Sequence, residues 1–234
     1  MPKIFAISDL HLSFGVNKPM HVFGARWENY EARLRENWQS IVSSEDIVLM
    51  PGDTSWATYL KDGTEDFSFI HSLNGIKLIS KGNHDYWWET LSKLNGFLEE
   101  NAFSSIRFIH NTNFVVGDTV ICGTKGYPET EKEPEGEEEK KLYNRELIRL
   151  ENAILEAKKT GASRIVVMLH YPPGPNTAFA RCMQEHQVNA CVFGHLHGVY
   201  DSAVQGNVRG VEYRLVSCDY LKFKPLKLME VKMP

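Results

Sequence analysis

Cysteine is scarce in this chain and never paired in sequence: Cys122, Cys182, Cys191 and Cys218 are widely spaced, with no C-x-x-C. That excludes a thiolate zinc module and a disulfide framework. Three of the four sit in hydrophobic runs, where cysteine acts as a small buried apolar residue, and such usage predicts a reducing compartment. Long apolar runs are missing too: none approaches the ~20 residues that span a bilayer. The opening "MPKIFAISD" has no charged segment followed by a signal-type apolar one. A cytoplasmic protein with no membrane partner is predicted. Charge of one sign is also lacking. A net charge of −4 and a pI near 6.1 give no bulk attraction to nucleic acid or acidic lipid. No internal repeat is visible.

What the chain does have is a recurring short β-type run followed by polar residues. "KIFAIS" (3–8), "DIVLM" (46–50), "IKLIS" (76–80), "RIVVML" (164–169) and "ACVFG" (190–194) are almost unbroken in hydrophobicity, as strands covered on both faces require. Between them, residues 27–42 place Trp27, Tyr30, Leu34, Trp38 and Ile41 on one helical face. Shorter helices are expected at 65–74 and 86–100. "FVVGDTVICG" (114–123) reads as a hairpin turning at Gly117-Asp118. The acidic run 129–139 reads as a solvated loop leading into a long helix around 138–159. From Val199 on, the chain is β-rich, with turn signals at Gly206-Asn207 and Pro225. This pattern predicts an α/β fold with two packed sheets and helices outside.

The ends of those runs carry the chemistry. After the first come Asp9 and His11, after the second Asp53, after the third Asn83, His84 and Asp85. The fourth ends in His170, and the fifth in "GHLH", giving His195 and His197. Carboxyl ends of strands are where open α/β sheets form ligand sites, and polar capping alone would favour Ser, Thr and Gly as much as His. Asp, Asn and His supply oxygen and imidazole nitrogen without thiolate. That set suits Mn, Fe, Zn, Co or Ni. Seven of them, Asp9, His11, Asp53, Asn83, His170, His195 and His197, exceed one four-coordinate site and suit two metal ions sharing a carboxylate.

The order D-x-H … GD … GNHD … H … GHxH, running from residue 9 to residue 198, resembles the calcineurin-like metallophosphoesterases. The resemblance implies a four-layer α/β/β/α sandwich of two mixed sheets flanked by helices, with residues 1–234 forming a single domain. It implies two divalent cations: one on Asp9, His11 and His197, the other on Asn83, His170 and His195, with Asp53 bridging. Two such ions ~3.5–4 Å apart clamp a phosphoryl group and acidify water. The implied reaction is hydrolysis of phosphate mono- or diesters by direct attack of a metal-bridging hydroxide. His84, next to Asn83 and titrating near neutral pH, is the implied general acid.

The chain departs from the family at one point. Many members have a second acid three residues after the bridging aspartate, and here Trp56 stands there, in "GDTSW". Asp85 then either orients His84 as a second catalytic residue or caps the helix expected near Tyr86. Trp56, Trp87 and Trp88 follow the motifs and are expected at the pocket wall, and Arg26 or Arg181 can meet substrate phosphate. The His11 form of the D-x-H motif tilts the expectation toward diesters of small molecules. A nuclease needs a basic groove that the charge balance argues against. A non-catalytic interaction scaffold on the same fold should have lost ligands, and none is missing. Sequence names no protein partner.

Overall fold

The structure, a computed structural model, describes residues 1–128, 134–198 and 205–233. Four parallel strands, β1 (Lys3–Ala6), β2 (Ile47–Pro51), β3 (Ile76–Ser80) and β4 (Ile106–Phe108), form one sheet. Antiparallel β11 (Leu226–Glu230) closes its edge beside β1, giving the order β11-β1-β2-β3-β4. The second sheet has the order β5-β6-β7-β8-β10-β9. Its parallel centre is β6 (Thr119–Thr124), β7 (Arg164–Leu169), β8 (Ala190–Phe193) and β10 (Val211–Leu215). Antiparallel β5 (Phe114–Val116) and β9 (Gly206–Val208) flank it.

Alternate side chains of these strands feed different cores. Ile4, Ala6, Ile47, Leu49 and Leu78 meet Ile121, Val166, Met168, Ala190 and Val192 between the sheets. Phe5, Val48, Met50 and Ile79 point the other way, under α1 (Tyr30–Ile41), α2 (Thr64–Ser72) and α3 (Leu91–Glu100). Cys122, Val167, Leu169 and Cys191 pack on α4 (Glu137–Lys158) and α5 (Ala178–Glu185). The result is the expected α/β/β/α sandwich. Being buried on both faces is why these strands read as continuous apolar runs. No helix among the described residues is long and apolar enough to cross a membrane.

Several expected boundaries move. Helix α1 starts at Tyr30 instead of residue 27, because Asn29 takes a left-handed conformation (φ 48°) after a short 3-10 turn, Ala25–Trp27. Helix α3 starts at Leu91, where the Thr90 side chain caps Lys93 N. Glu137–Glu139 belong to the first turn of α4, where acids favour the helix dipole. Residues 129–133 of the expected acidic loop, and Val199–Val204, lie outside the described residues. Gly206-Asn207 is not a turn but part of β9. The reversal is at Arg209-Gly210, both at positive φ (51° and 90°), as a tight two-residue hairpin demands.

Buried Asp66 on α2 ties the chain after β1 to the chain after β2. It accepts from Phe14 N at 2.7 Å and from the Ser55 hydroxyl. Burial pushes its carboxyl up from 3.8 to about 6, against the pull of those bonds. Because the folded value is the higher one, the group's contribution to stability is fully present below about 4. It is lost as pH rises through about 6. Asp66→Asn removes the titration and keeps the shape. The stability of wild type relative to the variant should therefore fall by up to ~3 kcal/mol between pH 4 and 7. Urea midpoints at four pH values check this; parallel profiles would contradict it.

Candidate metal centre

All the parallel strands of both sheets discharge at one edge of the sandwich, and the loops there hold unusual backbone. Asp9, His11, Asp53 and His195 all have positive φ (57°, 48°, 52° and 70°), a region non-glycine residues rarely occupy. Such outliers concentrate at functional sites, where surrounding bonds hold them. Here those bonds run from Ser8 Oγ, Ser217 Oγ (3.0 Å) and His195 N (3.0 Å) to the Asp9 carboxylate, and from His84 N (2.8 Å) to Asp53 Oδ1. Glycine matters at two points for room. A Cβ on Gly194 would lie 2.2 Å from Asp9 Oδ2, and one on Gly82 would lie 2.1 Å from Asp53 Oδ1. The turn after β8 thus takes its unusual dihedral at His195, while Gly194 supplies clearance.

The side chains converge. His11 Nε2 lies 3.1 Å from His197 Nε2. Asp53 Oδ2 stands between, 3.8 Å from His11 Nε2 and 3.5 Å from His170 Nε2. Asn83 Oδ1 is 2.6 Å from His170 Nε2 and 3.0 Å from His195 Nδ1. Ligand atoms of Asp9, His11 and His197 form one cluster within 4.8 Å, and those of Asp9, Asp53 and His170 another. His195 and His197 therefore point at different partners, His195 toward Asn83 and His197 toward His11.

The donor chemistry fits cations. His170 Nδ1 faces the Pro51 carbonyl at 3.0 Å, which only accepts, so the ring proton sits there and Nε2 presents a lone pair. That lone pair meets the oxygens of Asn83 and Asp53. His197 Nδ1 likewise faces the Asp219 carboxylate at 3.0 Å, leaving Nε2 toward His11 and Asp9. Buried His11 Nδ1 has no partner among the described residues. Burial, then the neighbouring imidazoles, holds His11 well below its ordinary value; burial takes His170 to about 3. Both rings are neutral donors. Burial, then Asp85 and Asp9, raises Asp53. Lone pairs facing lone pairs, around a carboxylate crowded by carboxylates, are what a divalent cation neutralises.

Asp85 does not meet His84. Its carboxylate is fully buried and accepts from Gly82 N (2.7 Å), Asp53 N and Thr54 N (2.9 Å each) and Trp87 Nε1 (3.1 Å). This corrects its reading as a catalytic residue: adjacent side chains diverge, and this one braces the Asp53 loop. It caps no helix either. His84 lines the cavity, with its ring 4.7 Å from Trp56 and its buried Nδ1 without a partner among the described residues.

Asp219 is a member of the site that sequence reasoning misses. It follows β10, and it holds His197 Nδ1, Gly198 N (2.9 Å) and Arg26 (3.3 Å). Burial alone would lower His197, but the bond to Asp219 and the Asp9 and Asp219 charges outweigh it and raise the imidazole. A carboxylate behind a ligating imidazole fixes its tautomer and strengthens it as a donor. Asp219→Ala should weaken divalent-metal affinity roughly 10–100-fold, with Asp219→Asn in between. Competition against a chromogenic chelator measures it, and an unchanged constant would remove Asp219 from the centre.

A cavity of about 490 Å³ opens over these groups, lined by His11, Asp53, His84, His195, His197 and Asp219. Met20, Phe23, Arg26, Trp27 and Trp56 also line it. Of the three indoles expected at this wall only Trp56 is there; Trp87 is buried in the core, Trp88 packs against it, and Trp27 takes their place. Arg26 reaches the cavity; Arg181 instead donates to Asn176 O at 2.7 Å.

No curated protein sequence matches this chain. Among solved structures, it superposes on TT1561 of Thermus thermophilus with a TM-score of 0.56 at 13% identity, covering 98% of this chain and 99% of that one. The phosphopantetheinyl hydrolase PptH of Mycobacterium tuberculosis gives 0.55 at 11%, with coverage of 97% and 95%. AQ665 of Aquifex aeolicus, a protein of unknown function, gives 0.53 at 16%, with coverage of 97% and 96%. At these identities the likeness concerns the fold. The sequence profile described as calcineurin-like phosphoesterase matches residues 2–199, a span that takes in every strand-end donor from Asp9 to His197. The chain belongs to the calcineurin-like phosphoesterase family.

Proposed function

We propose that this chain hydrolyses small phosphate esters with two divalent cations, of the Mn, Fe, Zn, Co or Ni group. Asp9, His11 and His197 hold one, Asn83, His170 and His195 the other, and Asp53 serves both. Residues 1–234 act as one domain, since β10 and β11, beyond the profile match, lie within the two sheets. When bound, such cations neutralise charge on phosphoryl oxygens and lower the pKa of water. The residues supply the rest. His170 and His197 offer lone pairs because Pro51 and Asp219 hold their other ring protons. His84 sits at the cavity wall as proton donor to the leaving oxygen. The His11 form of the first motif favours diesters over monoesters.

The carrying observation is the convergence of lone pairs around Asp53 Oδ2. Chromogenic phosphate mono- and diesters, assayed across these metals and after chelation, test the proposal. Metal-dependent turnover, faster on the diester, is expected. Turnover that survives complete metal removal would sink it.

A further inference from the structure

The cavity is too large and too apolar for a phosphoryl group alone. Its volume of about 490 Å³ falls within the roughly 300–1,000 Å³ typical of sites for drug-sized ligands. A phosphoryl group at the donor cluster fills a minor part. Beyond the donors, the lining includes Met20 and Phe23 of the 3-10 turn, with Trp27 and Trp56 beside the histidines. Phe23, which lines the cavity, leaves 62% of its surface exposed.

The two indoles are already engaged. Trp56 stacks on His11 at 4.6 Å and 22°, and Lys18 Nζ lies over the same ring, 4.7 Å from its centroid. Trp27 is buried edge-on against Tyr30 and Phe223, at 5.1 and 5.3 Å. A nucleobase binds by stacking on a ring face, and these contacts occupy the indoles. Met20 is buried, its sulfur accepting from Trp56 Nε1 at 3.1 Å. Exposed Phe23, with no second ring packed beside it among the described residues to sandwich a base, is left to receive the body of the substrate. Resting on the proposed phosphoesterase reading, we infer that the alcohol part of the natural ester is an elongated apolar group, alkyl or arylalkyl. It lies along Phe23 and is favoured over a nucleoside or sugar.

Calorimetry on the full chain in excess manganese tests this through binding, independent of turnover. The probes are methylphosphonate, 3-phenylpropylphosphonate and adenosine 5′-monophosphate. The arylalkyl phosphonate should bind at least about tenfold tighter than either of the others, given its added apolar burial. Phe23→Ser should narrow that ratio about threefold or more. Val115→Ser, a comparably exposed apolar position on β5 outside the cavity, should leave it in place. Equal affinities, tightest binding of the nucleotide, or a ratio untouched by Phe23→Ser would overturn the inference. If metal-dependent ester turnover persists in those cases, only this inference falls. If no phosphonate binds and no ester is turned over, the phosphoesterase reading falls with it.

Discussion

Asp53→Asn is expected to lower kcat on a chromogenic phosphate ester at least about a thousandfold at saturating manganese, or some 4 kcal/mol of transition-state stabilisation. The reason is position. Its Oδ2 is the single carboxylate oxygen within 4 Å of both His11 Nε2 and His170 Nε2 among the described residues. An amide keeps the shape and the acceptor for His84 N, but not the charge. The same substitution should act oppositely on the metal-free fold. Burial, then Asp85 and Asp9, penalises the Asp53 charge, so a neutral amide relieves repulsion. In chelator the variant should melt no lower than wild type. A fall in melting temperature there, or turnover within tenfold of wild type, would contradict the account. Opposed signs from one substitution separate a functional carboxylate from a merely structural one.

Asp85→Asn should cost about 3 kcal/mol or more of stability. Its carboxylate accepts from three backbone amides of the loops after β2 and β3 within 2.9 Å, and from the Trp87 indole. An Asn turns one of those acceptors into a donor aimed at donors, in a site without solvent. Against a total of about 5–15 kcal/mol for an ordinary domain, that loss is large. The Asp53 loop should lose its register with it. A lower urea midpoint together with weaker manganese binding is expected. If the midpoint drops while metal affinity is unchanged, the brace does not set the centre.

What is legible in the sequence follows from burial. Strands covered on both faces must be apolar throughout, so the donors stand out among the few polar residues that directly follow such a run. The sandwich and the convergence of Asp9, Asp53, Asn83, His170 and His195 at one edge follow from that. Strand β10 hides the remaining member. "VEYRL" alternates between buried and half-buried residues, which reads as an antiparallel meander, yet it pairs parallel with β8. Its carboxyl end therefore belongs to the same edge, and Asp219 is placed there by the rule that finds the others. The expectation for Asp85 fails for another reason: sequence adjacency to His84 carries no information about side-chain direction. Helix α5 has only eight residues and follows three prolines, Pro172, Pro173 and Pro175, which mask it in the sequence.

The donors come from both halves of the sandwich: Asp9, His11, Asp53 and Asn83 follow strands of one sheet, and His170, His195 and His197 follow strands of the other. An ion held by residues of both would therefore act as a rivet through the seam, present only while the halves stay docked. Occupancy and folding are then thermodynamically linked, a hundredfold excess of ion over its dissociation constant adding about 2.7 kcal/mol against unfolding. Metal supply would govern how long this chain survives as well as how fast it works.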